Sequence, residues 1–172
     1  LEEGGRRLIY MPLINYARGN LDDVFGMMTA PHTLYGLSDG GAHCGTICDG
    51  SFPTTTIGLW SQGSKSGHKA SVESLVHGYT QRNAEHVGWY DRGVIAPGYL
   101  ADLNVIDHAA LTLHKPVIVN DLPAGGRRLD QTADGYVATI VAGEVIAENG
   151  VPTDARPGRL VRGRQPIPAA SR

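Results

Sequence analysis

Cysteines, paired histidines and long apolar runs are what this 172-residue sequence has least of. Its two cysteines, Cys44 and Cys48, form a Cys-x3-Cys spacing with no second pair to complete a zinc site. They read as free thiols, which suits a reducing compartment and makes a cytoplasmic location the expectation. No apolar stretch approaches the ~20 residues of a membrane-spanning helix, so no membrane partner is expected. The net charge of -2 is too near neutral to suggest a nucleic-acid partner. No signal-peptide pattern opens the chain, and because it begins at Leu1 rather than Met, a missing N-terminal part is expected. The seven histidines, at 32, 43, 68, 77, 86, 108 and 114, are scattered, and no His-x-His occurs.

What is present is ordinary globular composition, 41% apolar and 19% charged, at a length suited to one domain of average size with a real core. Glycine is abundant at 23 residues, many of them between 36 and 67, where loops would cover a site.

Helical spacing comes first along the chain. Residues 6–13 could be one extended piece interrupted by Pro12. Leu21, Val24, Phe25 and Met28 then fall at i, i+3, i+4 and i+7, with Asn20 as a cap, Asp22 and Asp23 in the first turn and Pro31 beyond the end. Met27 and Met28 read as core rather than ligands. Ser71 caps a second helix carrying Val72, Leu75, Val76 and Tyr79, and a third short helix over 80–87 stops at Gly88. His77 and His86 on these helices read as surface or second-layer residues. Between them, residues 44–69 show no periodicity and read as a long loop. Trp60 within it reads as a hydrophobic plug rather than a substrate-side wall.

After Gly88 the pattern becomes extended. Pro97-Gly98 is expected to turn between two strands, the second containing Leu103 and Val105. Residues 117–119 read as a strand and 125–132 as a polar loop whose Arg127 and Arg128 are solvated or grip an anion. Residues 136–146 read as a hairpin turning near Gly143, and Asn149-Gly150 as a further turn. Residues from Arg162 onward read as a frayed basic tail.

The run Leu34-Tyr35-Gly36-Leu37-Ser38-Asp39-Gly40-Gly41-Ala42-His43 carries the chemistry. Residues 33–37 read as a buried strand ending in Ser-Asp and two glycines. The glycines allow a sharp turn that leaves the Asp39 carboxylate uncovered, as a metal ligand or a proton carrier. A plain turn aspartate is the alternative. A second block, Gly93-Val94-Ile95-Ala96-Pro97-Gly98-Tyr99-Leu100-Ala101-Asp102-Leu103, follows at a plausible separation.

These two blocks, with the closing Arg156-Pro157-Gly158-Arg159, resemble the amidohydrolase superfamily, most closely its N-acyl-D-amino-acid deacylase branch. The resemblance implies a fold of mixed α/β class: the C-terminal elements of a TIM-like (β/α)8 barrel over 1–90, strands of a small β-sandwich domain over 91–163, and a tail at 164–172. It implies Asp39 as the catalytic acid/base and a metal contact, with Ser38, Gly40, Gly41 and His43 on the substrate side and Asp102 in a structural role. It implies Zn2+ as cofactor, most of its ligands lying on earlier strands outside this chain. The substrate expected is an N-acyl-D-amino acid or a related linear amide, a cyclic-amidase or enamidase-like activity being the runner-up. The missing histidines leave a further reading open, a non-catalytic β-rich module or subunit. As partners the chain is expected to take the remainder of the same enzyme, or to self-associate.

Overall fold

A computed structural model describes residues 9, 15–16, 18–36 and 38–169. The extended piece expected over 6–13 lies outside them except for Ile9. Helices come first and antiparallel strands follow. The helices are α1 (Asp22–Met28), α2 (Phe52–Gln62), α3 (Val72–Tyr79) and α4 (Gln81–His86), with a short 3-10 turn at Asp49–Ser51 before α2. The strands are β1 (Leu103–Ile106), β2 (Thr112–Leu113), β3 (Val117–Leu122), β4 (Gly126–Asp130), β5 (Ala133–Asp134), β6 (Tyr136–Val141), β7 (Glu144–Glu148) and β8 (Val151–Pro152).

Helix α1 forms where its apolar spacing places it, and the Asp22 N–H donates to Asn20 Oδ1 at 3.2 Å. Its Met28 packs on the core, whereas Met27 is half exposed, so only one of the two methionines is a core residue. Helix α3 starts at Ser71, whose side chain accepts from the Ser74 N–H, and it buries Leu75 completely. Chain reversal after α4 uses Gly88 at φ +79°, a left-handed conformation that glycine adopts without strain. His77 and His86 are both exposed.

The segment expected to be a long loop over 44–69 holds α2 instead. Pro53 sits in its first turn, where the missing N–H costs nothing. Its buried positions are Thr54, Ile57, Trp60 and Ser61. Half of that face is hydroxylic, so the apolar periodicity is broken although the burial periodicity is intact. Each buried hydroxyl has a partner: Thr54 Oγ1 lies 2.6 Å from the Tyr136 hydroxyl and Ser61 Oγ 2.9 Å from His108 Nε2. Trp60 is 3% exposed and joins Ile57, Leu75 and Leu111 in the core, its ring 5.0 Å from that of Phe25. It is a plug, as expected.

The strand expected over 33–37 does not form among its described residues, 33–36. A strand needs a neighbour for its ladder. Here the Tyr35 carbonyl accepts from the Asn83 side chain at 2.9 Å, the Pro31 carbonyl from Arg82, and the Tyr35 ring packs tilted against Tyr79, the centroids 5.0 Å apart. Side chains of α3 and α4 thus hold this segment in place of strands. The strand expected just before Pro97-Gly98 is absent too. Gly93, at φ +83°, packs against the backbone of Thr80 and Gln81, and the Leu100 N–H closes a loop by donating to the Asp91 carbonyl at 2.8 Å.

Among the described residues three antiparallel sheets follow: β1-β6-β7-β8, β2-β5 and β3-β4. The hairpin β6–β7 and the Asn149-Gly150 turn into β8 form as the sequence indicates. The polar run expected to be a loop is strand β4, because β3 supplies both its ladder and Asp121 to neutralise Arg128. The tail is not frayed at its start: Gln165 bridges to Trp89, its N–H donating to the Gly88 carbonyl at 2.9 Å, and Arg164 lies over the Tyr90 ring. Residues 170–172 lie outside the described residues. No described helix is long and apolar enough to cross a membrane.

Candidate functional site

The turn bearing Asp39 is built from short contacts. Ser38 Oγ accepts from the Gly40 N–H at 3.1 Å, and the Asp39 carbonyl accepts from the Ala42 N–H at 2.9 Å. Gly41 takes φ +94° and His43 φ +44°. The His43 carbonyl then accepts from the Thr46 and Ile47 N–H groups at 2.7 and 3.1 Å. Gly40 is required for a different reason. A Cβ there would lie 2.9 Å from the Gly50 nitrogen and 3.2 Å from its Cα, so the turn is pressed against the backbone just before α2.

Asp39 and His43 are exposed, and Ser38 is half-buried. Beside the turn runs a cleft of about 550 Å³, bounded by Ser38, Gly40, Cys48 and Phe52 on one side and by Arg128 and Gln131 on the other. Ser38, Gly40 and Gly41 are therefore brought to the cleft, while neither Asp39 nor His43 lines it.

The cleft's arginine is neutralised by its neighbours. Arg128 donates to Asp121 at 2.7 and 2.8 Å and to Asp130 at 2.9 Å. The two carboxylates raise the guanidinium's pKa further, and Arg128 in turn holds Asp121 below the usual carboxylate range. Arg128 is thus tied to its own sheet rather than free to grip an anion. Burial, followed by the Asp49 and Asp130 charges, pushes the Cys48 thiol up, which keeps it protonated at neutral pH. Cys44 and Cys48 are both free, as expected.

Among the described residues no three or more His, Cys, Asp or Glu side chains stand together as a metal site. A zinc ion needs three or four protein donors. Asp39 offers one carboxylate on an exposed turn, so the described residues do not fit a complete metal centre and could supply one ligand to it.

Polar residues that the sequence did not single out hold the cleft together. Gln131 Oε1 accepts from Ser51 Oγ at 2.8 Å and from Cys48 Sγ at 3.6 Å, and its Nε2 donates to the His114 carbonyl at 2.8 Å. The Leu129 N–H donates to the Cys44 carbonyl at 2.7 Å. A glutamine in a polar run gives no periodic signal, and its partners Ser51 and Cys48 lie 80 and 83 positions away.

A family model described as the amidohydrolase family matches residues 8–147, most of the chain. No curated protein and no solved structure matches it.

Proposed function

The chain belongs to the amidohydrolase family, and on that premise we propose that it is the C-terminal portion of a metal-dependent amidohydrolase acting on a linear amide, most closely an N-acyl-D-amino acid. The observation that carries this reading is the turn at Asp39: an exposed carboxylate on a backbone fixed by Ser38 and by the Gly40–Gly50 contact, beside a cleft large enough for a small substrate. Family membership supports hydrolysis. The Ser-Asp-Gly-Gly-Ala-His run supports the deacylase branch, and the same resemblance supports a barrel context for residues 1–90. The two free cysteines suit a cytoplasmic enzyme.

Asp39's own part is to take a proton from the attacking water and return it to the leaving amine, which its exposure allows. Asp39 would be one ligand of a divalent metal in the complete enzyme, and such a metal would supply acidification of the water. Ser38, Gly40 and Gly41 shape the substrate side of the turn, and His43 stands at its far end.

The experiment is deacylation of an N-acyl-D-amino acid by the intact enzyme, wild type against Asp39→Asn, with metal content measured on both. Asparagine keeps size and polarity but cannot carry the proton, so turnover should fall by ~10²–10⁴-fold while the fold survives. Near wild-type turnover in the variant would refute the role. Wild-type protein that binds no metal and hydrolyses no amide after zinc is supplied would point to a non-catalytic module instead.

A further inference from the structure

We infer that Gln131 is a positioning residue for the Asp39 turn, acting across the cleft through Ser51 and Gly50. The inference rests on the reading of Asp39 given above.

The connection is continuous and short. Gln131 follows β4 directly. Its amide is bifunctional, and both halves are used: the oxygen receives Ser51 and Cys48, and the nitrogen donates to the carbonyl of His114, which lies between β2 and β3. One side chain thereby ties the segment after Asp39 to two places in the β-rich half. Ser51 is the neighbour of Gly50, and Gly50 is the backbone against which Gly40 is pressed. Gly40 is the neighbour of Asp39. No flexible side chain intervenes between Gly50 and Gly40, so a displacement of one is passed to the other rather than absorbed.

Among the described residues the tie is not duplicated at that point. Leu129 holds the segment at Cys44, and Tyr136 holds it at Thr54. Those two bonds fix its ends, and Gln131 fixes its middle at Cys48 and Ser51, where it meets Gly40. Reacting groups lose rate steeply with misplacements of about 1 Å, so a middle left slack should cost turnover more than affinity.

The test uses the intact enzyme with an N-acyl-D-amino acid and three variants: Gln131→Ala, Ser51→Ala and the double. Two readouts are taken, steady-state kinetics and backbone hydrogen exchange over 38–51, where the Ala42, Thr46 and Ile47 amides are bonded within the turn. For Gln131→Ala, kcat per bound metal should fall roughly 10–100-fold with KM within about twofold. Exchange over 38–51 should quicken while exchange in α3 does not. Ser51→Ala, which removes one hydroxyl and no volume from the core, should move both readouts in the same direction. The double variant should be no worse than Gln131→Ala, because both remove one connection. Wild-type kcat in Gln131→Ala and Ser51→Ala overturns the inference whether or not exchange changes, and so do unchanged exchange and additive losses. If Asp39→Asn itself retains turnover, the reading of the reaction fails, and exchange alone still decides whether Gln131 holds the turn.

Discussion

Two glycines on neighbouring helices separate what glycine does for this fold from what it merely permits. Gly78 is buried in α3, where a Cβ would run into the ring of Tyr35. The ring cannot swing away freely, since it packs against Tyr79 and the Tyr35 carbonyl is held by Asn83. Burial pushes the Tyr35 hydroxyl up, helped by Tyr79 and opposed by Arg82, which is consistent with a ring lodged among helices rather than standing in water. Gly58 in α2 has nothing within 4 Å of the position its Cβ would take. Gly78→Ala is therefore expected to destabilise by about 1–3 kcal/mol through overpacking. Gly58→Ala should be neutral or stabilise by about 0.5–1 kcal/mol, because alanine is the better helix former. Thermal melts of the two variants check this, and equal melting temperatures would show that Tyr35 does not seat on Gly78. Because Tyr35 leads into Ser38 and Asp39, Gly78→Ala should also disturb the Asp39 turn, whereas Gly58→Ala should not.

At the level of elements, one carboxylate links the loop after α4 to the β6–β7 turn. Asp102 Oδ1 accepts from the Ala142 N–H at 2.8 Å, where the β6–β7 turn has a positive φ of 50°, and Oδ2 meets Arg92 at 3.4 Å. Arg92 also grips Asp91 at 2.9 Å and lies over the Trp89 ring. Asp102→Ala should cost about 0.5–1.5 kcal/mol, the net worth of a hydrogen bond whose exposed donor water can reach, and Asp102→Asn distinctly less, since it keeps an acceptor for Ala142. Asp91 adds a pH dependence. Its hydrogen bonds from Arg92 outweigh desolvation and hold it below its ordinary value of 3.8. The stability it contributes is thus present above that value and lost as pH falls through its lower folded value. The stability gap between wild type and Asp91→Asn should hold steady above that value and close only as pH falls through that window, which acid unfolding of the two proteins checks. This junction shows what a sequence can and cannot disclose. The Pro97-Gly98 turn was legible, as were α1, α3 and the β6–β7 hairpin, because each follows a local rule of spacing or turn chemistry, whereas Asp102 was singled out only by the family resemblance. Helix α2 was not, since Thr54 and Ser61 occupy half its buried face through partners elsewhere in the chain. Strand β4 was hidden because its ladder with β3, and the Asp121 that pairs with Arg128, are brought to it only by the fold. At the site, the turn around Asp39 was legible from its glycines, but Gln131 could not be found without the fold.

For the molecule as a whole, exposed area decides the expectation. The 18.3 kDa chain exposes 12505 Å², whereas a compact monomer of that mass exposes roughly 8,000 Å². Among the described residues Ile57, Trp60, Leu75, Ala84 and Leu111 are the buried apolar side chains, while Ile95, Leu160, Val151 and Ile167 are each more than 60% exposed. So little burial leaves apolar surface that association would cover. The principal sheet offers two ends for it. β8 is two residues long and contains Pro152, which cannot donate to a ladder, so that edge is blunted. β1 is four residues long, pairs only with β6 among the described strands, and carries Val105 at 47% exposure. The isolated chain is therefore expected to self-associate through β1, by sedimentation at high concentration. Val105→Lys should weaken that association, because a lysine on an edge strand disfavours a second strand docking there. Its partly exposed position predicts little loss of thermal stability. A wild-type chain that sediments as a stable monomer with no partner present would count against the expectation. Association that Val105→Lys leaves unchanged would move the contact away from β1 to the exposed apolar side chains elsewhere.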